Sequence, residues 1–177
     1  MTDGVAPGEE HAAARPPRRL EIWLPILVVL VDQATKAMVR SALPLHTSRE
    51  IIPGFLDFTH VRNTGAAFDI LNAADFPFKT VVMAVIATAA LIGVGFYAAS
   101  LAHHQLVARV GLALIIGGAT GNLLDRIATG SVVDFVYVYW RSYHFWVFNV
   151  ADSAISIGVA IMILDMLEVG THVSKTV

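Results

Sequence analysis

The chain has 177 residues, 56% of them hydrophobic and only 15% charged, with a mean hydropathy of +0.66; that leaves too little polar surface for a soluble domain of this size. Cysteine is absent, which excludes a disulfide framework, a thiol nucleophile and a Cys-based metal centre. The net charge of −2 comes with no concentrated basic patch, so nucleic-acid binding has no support.

Residues 1–19, rich in Ala, Pro, Gly and charge, read as a disordered tail. Arg15, Arg18 and Arg19 stand directly before the first apolar stretch, and basic residues at that place predict a cytoplasmic N-terminus. The first membrane helix is predicted over about 20–39. Its uninterrupted apolar core, Ile22 to Val31, has a length that a cleavable signal peptide also shows. The polar run Asp32-Gln33-Ala34-Thr35-Lys36 then falls where a small-residue cleavage site belongs, so the segment is read as a retained helix.

The loop of about 40–76 is too long for a turn, and its segment Ile51 to Val61, punctuated by Pro53-Gly54, is rich in strand formers. Asn63-Thr64-Gly65 reads as a turn, since Asn and Gly both tolerate positive φ. Further membrane helices are predicted at about 77–99, 106–125 and 147–168, each long enough to cross a bilayer. Between the last two, Val132 to Trp140 is strand-prone and aromatic, and Tyr and Trp favour the headgroup region. The fold expected is therefore an α-helical integral membrane protein of four transmembrane helices, 20–168, with a small β-rich cradle on the extracytoplasmic face. An even helix count returns the tail of 169–177 to the cytoplasm. The charge count is untidy, because Arg40, Arg49, Arg62, Arg126 and Arg141 all fall on the predicted outer side.

Three of the four helices carry a polar stripe at one end. On the first it is Asp32, Thr35 and Lys36, on the third Asn122, Asp125 and Arg126, and on the fourth Asn149, Asp152, Ser153 and Ser156. These spacings of three and four put each set on one helix face. With helices alternating in direction, all three stripes meet at the same side of the membrane. Gly117 and Gly121 form a GxxxG pair that permits close helix approach. Asp32 with Lys36, and Asp125 with Arg126, read as internally compensated ion pairs, the usual fate of charge in a membrane.

Asp134 and Asp152 differ, since neither has a basic residue within four positions. A partly desolvated carboxyl without a neighbouring cation has its pKa pushed up, and a second carboxylate nearby adds to that. One acid of such a pair acts as base on a water while the other, protonated, polarises a peptide carbonyl. The alternative is a solvated loop acid at Asp134 and a dipole-favoured first-turn acid at Asp152; spacing does not choose between them. A transporter would distribute acids through the depth of the membrane, whereas the middle of the second helix has none. A scaffold protein would use them for packing only. No HExxH, GxSxG, P-loop or metal-ligand motif occurs, so neither metal nor cofactor is expected.

Taken in order, Asp32-Gln33-Ala34-Thr35-Lys36, Asn63-Thr64-Gly65-Ala66-Ala67-Phe68, Gly117-Gly118 through Gly121-Asn122-Leu123-Leu124-Asp125-Arg126, Val132-Val133-Asp134-Phe135 and Phe148-Asn149-Val150-Ala151-Asp152-Ser153 resemble the motifs of bacterial lipoprotein signal peptidase, or signal peptidase II. The resemblance covers about 20–168. It implies an aspartic endopeptidase of the bacterial cytoplasmic (inner) membrane, sensitive to globomycin, acting on diacylglyceryl-modified prolipoproteins and cutting before the lipidated cysteine. It maps the catalytic dyad onto Asp134 and Asp152. It maps substrate-binding positions onto Asn63, Gly65, Asn122, Arg126 and Asn149, and supporting positions onto Asp32, Lys36 and Asp125. The partners expected are the prolipoprotein and membrane lipid, with the enzyme a monomer. Asp125 is the competitor for the partner of Asp152; the adjacent Arg126 should hold it ionised, which favours Asp134.

Overall fold

The structure, a computed structural model, describes residues 19–64, 79–102 and 105–173. Gly65, the tail before residue 19, His103, His104 and residues 174–177 lie outside the described residues. In chain order the elements are α1 (Arg19–Ala42), β1 (Ser48–Ile52), β2 (Leu56–Asn63), α2 (Lys79–Ser100), α3 (Leu106–Thr129), β3 (Val132–Trp140), β4 (Tyr143–His144) and α4 (Val150–Val173). Among the described residues four helices are long and apolar enough to cross a membrane. Their outward faces carry Leu30, Val85, Phe96, Ile127 and Leu164, all exposed, which suits a hydrocarbon surround rather than water.

α3 is the central helix, packed against α1, α2 and α4. Small residues let it approach so closely. A Cβ at Gly118 would run into the backbone carbonyl of Ala151 on α4, and one at Gly121 would stand 2.6 Å from Asp32 Oδ2 on α1. Helix association in lipid depends on such packing because apolar burial offers no gain there. Gly130 ends α3 in the left-handed conformation, φ 75°, with its N–H bonded to Arg126 O. The helix therefore runs one turn beyond the expected 125. α4 begins later than expected, because Phe148 is still bridged to Val136 of β3 and Asn149 caps the helix.

The four strands form one antiparallel sheet in the order β1-β2-β3-β4. Between β1 and β2 the chain turns at Pro53-Gly54, where Gly54 takes φ 73° and Phe55 N bonds to Ile52 O at 3.0 Å. β3 follows α3 after a two-residue link, so Val133 and Phe135 pack on Val39 at the end of α1. That packing seats the sheet on the ends of α1, α3 and α4. Asn63, read as part of a turn, is the last residue of β2 and pairs with Val132.

Candidate active site

Asp134 lies in β3 opposite Val61 of β2, and Asn63 is its diagonal neighbour on the same face. Asn63 Nδ2 donates to Asp134 Oδ2 at 3.0 Å, and Asn149 Nδ2 donates to Asp134 Oδ1 at 2.6 Å. Asp152 sits in the first turn of α4. Asn122 Nδ2 donates to its Oδ1 at 2.7 Å and the Asn149 backbone N–H to its Oδ2 at 3.2 Å. All four oxygens of the two carboxyls thus accept hydrogen bonds from amide N–H groups. Asp134 and Asp152 line one cleft of about 920 Å³, together with Asn63, Phe145, Trp146 and Ser153.

Burial pushes the Asp134 carboxyl up from 3.8 to about 6. The hydrogen bond from Asn63 opposes that rise, the charge of Asp152 adds to it, and Asn149 and Lys36 oppose it more weakly. An acid in this range exchanges a proton near neutral pH, as a general acid or base must.

Behind the carboxyls lies a second layer, in which Asp32, Lys36 and Asp125 are buried. Lys36 Nζ meets Asp32 Oδ2 at 2.8 Å, Asp125 Oδ2 at 3.0 Å and Asn122 Oδ1 at 2.9 Å. Arg40 Nη1 approaches Asp125 Oδ1 at 3.7 Å. Gln33 Nε2 reaches Asp32, Gly121 O and Asp125. A buried ion pair stands only where its remaining oxygens are also satisfied. Here Ala151 N donates to Asp32 Oδ1 at 3.0 Å and Val133 N to Asp125 Oδ2 at 3.2 Å.

The pair expected between Asp32 and Lys36 is present. The pair expected between Asp125 and Arg126 is not among the described ion pairs; the close cations of Asp125 are Lys36 and Arg40. As neighbours on a helix, Asp125 and Arg126 point about 100° apart, which the adjacency in sequence conceals. Asp125 is still held by cations, from α1 instead of its own helix. Arg126 donates from Nη1 to Asn122 O at 3.2 Å, and its Nε has no hydrogen-bond partner among the described residues. It lies within electrostatic reach of Asp152, Asp134 and Asp125.

Asn63 faces the cleft, whereas Asn122 and Asn149 are buried behind the carboxyls with their amides engaged by them. Gly65 lies outside the described residues. Sequence reasoning assigned no role to Gln33 or Arg40. The spacing of Asp32, Lys36 and Arg40 by four would have placed Arg40 on the charged face of α1. Phe145 and Trp146, also missed, border the cleft and are exposed, and nothing but their aromatic character marks them in sequence.

The family described as signal peptidase (SPase) II matches residues 24–168. The lipoprotein signal peptidase of Symbiobacterium thermophilum is 44% identical over 148 residues, covering 84% of this chain and 94% of that protein. That of Geobacter metallireducens is 42% identical over 147 residues, covering 83% and 90%. A solved bacterial membrane enzyme, determined by the in meso method at 2.3 Å resolution, superposes with a TM-score of 0.76 at 35% identity, covering 85% of this chain and 89% of its own. A second, at 1.9 Å, gives the same TM-score at 33% identity, covering 85% and 94%. Matched over most of its length in sequence and in fold, the chain belongs to the signal peptidase II family.

Proposed function

We propose that this peptidase is an aspartic endopeptidase that removes signal peptides from diacylglyceryl-modified prolipoproteins, cutting before the lipidated cysteine. The observation that supports it is the placement of Asp134 and Asp152 on one cleft, with every carboxyl oxygen held by an amide donor. Asp134, the acid pushed up to about 6, holds the shared proton and polarises the scissile carbonyl. Asp152 takes a proton from the attacking water, and no covalent intermediate forms. Asn63 is the binding residue at the cleft wall. Asn122 and Asn149 orient the acids, and Arg126 offers its guanidinium to a substrate carbonyl.

The substrate enters from the lipid, keeping its acyl chains in the bilayer while the peptide reaches the cleft. The arginines before α1 support a topology with both termini in the cytoplasm and the sheet and cleft at the outer face of the cytoplasmic membrane. The enzyme acts as a monomer and needs no metal, so a chelator leaves turnover unchanged.

The test is cleavage of a purified diacylglyceryl-modified prolipoprotein in detergent by wild type, Asp134→Asn and Asp152→Asn. Wild type cuts; each variant, folded as judged by its melting temperature, loses about 1,000-fold or more in kcat because one proton-transfer role is gone. Wild-type turnover in either variant rejects the dyad, and failure of folded wild type to cut rejects the substrate.

A further inference from the structure

Lys36 is completely buried, and its ammonium has three N–H bonds for three acceptors. What those acceptors hold in turn is the informative part. Asp32 receives the backbone N–H of Ala151, the residue before Asp152. Asp125 receives the backbone N–H of Val133, the residue before Asp134. Asn122, the third acceptor, gives its amide N–H to Asp152 itself and accepts at Oδ1 from Asn149 Nδ2 at 3.2 Å. Asn149 Nδ2 also donates to Asp134. A single cation on α1 therefore anchors both chain segments that carry the cleft acids, and reaches both side chains through one asparagine.

The identity of the Asn122 atoms matters. An ammonium donates only, so it must face the amide oxygen. That forces Nδ2 toward Asp152. Without the ammonium, Oδ1 keeps only the longer bond from Asn149 Nδ2 at 3.2 Å, and the amide that faces Asp152 is held less firmly. Plain charge neutralisation of Asp32 and Asp125 would not need a bond to Asn122 at 2.9 Å.

We propose that Lys36 is the positioning residue of the cleft acids, orienting Asn122 so that its amide N–H faces Asp152. This rests on the reading of Asp134 and Asp152 as the catalytic pair. Lys36 touches no substrate, and its effect falls on turnover and not on binding.

The test uses the full chain in detergent with a diacylglyceryl-cysteine prolipoprotein peptide as substrate. Lys36→Met alone leaves two buried carboxylates with one cation fewer, so it is combined with Asp32→Asn to keep the charge balance. The double variant should melt near wild type and lose about 100-fold in kcat, the cost of a misplaced catalytic group, with KM unchanged. The same double change in an Asn122→Ala background should cost far less, because the residue through which Lys36 acts is already gone. Wild-type kcat in the double variant overturns the proposal, and so does an equal loss in both backgrounds.

Should the double variant not fold, Asn122→Asp decides. It keeps an oxygen for Lys36 but sets a second oxygen against Asp152 in place of the N–H donor. Loss of kcat with retained melting temperature supports the orientation argument, and full kcat overturns it. Asp134→Asn and Asp152→Asn run alongside. If those retain turnover, the dyad reading has failed; if they are dead and the Lys36 variants are active, only the positioning role has failed.

Discussion

Asn149 and Asp152 cap one another. The Asp152 backbone N–H donates to Asn149 Oδ1 at 2.9 Å, while Asp152 Oδ2 accepts from the Asn149 backbone N–H at 3.2 Å. This is the reciprocal pattern of a helix capping box, with an acid of the cleft in the role usually taken by glutamate. The start of α4 and the orientation of Asp152 are thus one structural event, and the remaining amide group of Asn149 is left to hold Asp134.

Substitution at Asn149 separates these two duties. Asn149→Ala removes the cap and should cost about 1 kcal/mol of stability. Asn149→Ser keeps a capping oxygen but lacks the amide that reaches Asp134 and Asn122. The serine variant should melt close to wild type yet lose turnover nearly as severely as the alanine variant. Thermal melts beside kcat on both proteins check this; a fully active serine variant would show that the bond to Asp134 is dispensable.

Stability should depend on pH through Asp134. Its carboxyl is raised in the folded state from 3.8 to about 6, so the stability it contributes is fully present below about 3.8 and lost as pH rises through about 6. The two pKa values differ by an amount worth on the order of 3 kcal/mol, an upper figure given the coupling to Asp152. The melting temperature of wild type relative to Asp134→Asn should fall between pH 4 and pH 7 and flatten above that, the window following from the shift. In kcat/KM the free enzyme should show an apparent pKa near 6 that belongs to the pair. A flat difference across that range refutes the assignment.

Asp125→Asn should act on stability more than on chemistry. The variant weakens bonds to Lys36 and Arg40 while Asp32 remains to balance Lys36. The expected cost is about 1.5–3 kcal/mol of stability, with kcat within about tenfold of wild type. Loss of cleavage as complete as in Asp134→Asn, at an unchanged melting temperature, would make Asp125 the partner of Asp152 instead.

Gly118→Val should destabilise the bundle by about 1–3 kcal/mol through overpacking. Its side chain has no room against Ala151, whose backbone N–H is held by Asp32. Displacing Ala151 also moves Asp152, so kcat should fall along with the melting temperature. Gly93 on α2 meets nothing within 4 Å at its Cβ position among the described residues, and Gly93→Ala should leave kcat unchanged without lowering the melting temperature.

The spans, the strand-prone segments and the polar stripes were legible because each is a local pattern. Membrane helices announce themselves by length and apolar content, since the bilayer gives the backbone no other hydrogen-bond partner. Val132 to Trp140 declared a strand by its β-branched and aromatic residues, and β3 has those bounds. The spacing of Asn149 and Asp152 shows a shared helix face, whereas the cap they form is seen only in the structure.

Pairing across elements was decided only by the tertiary structure. Sequence adjacency suggested Arg126 as the cation of Asp125, yet the helix turns its neighbour away and α1 brings Lys36 instead. Asn122 and Asn149 were read as contacts for a peptide, but packing buries them behind the acids. The start of α4 was misplaced because Phe148, apolar enough for a helix, is bridged to β3. In each case the deciding partner lies on another element, and its distance, unlike periodicity, leaves no trace in the order of residues. The order of residues specifies which groups the membrane has to accommodate; close packing of α3 between α1 and α4 selects which of them meet.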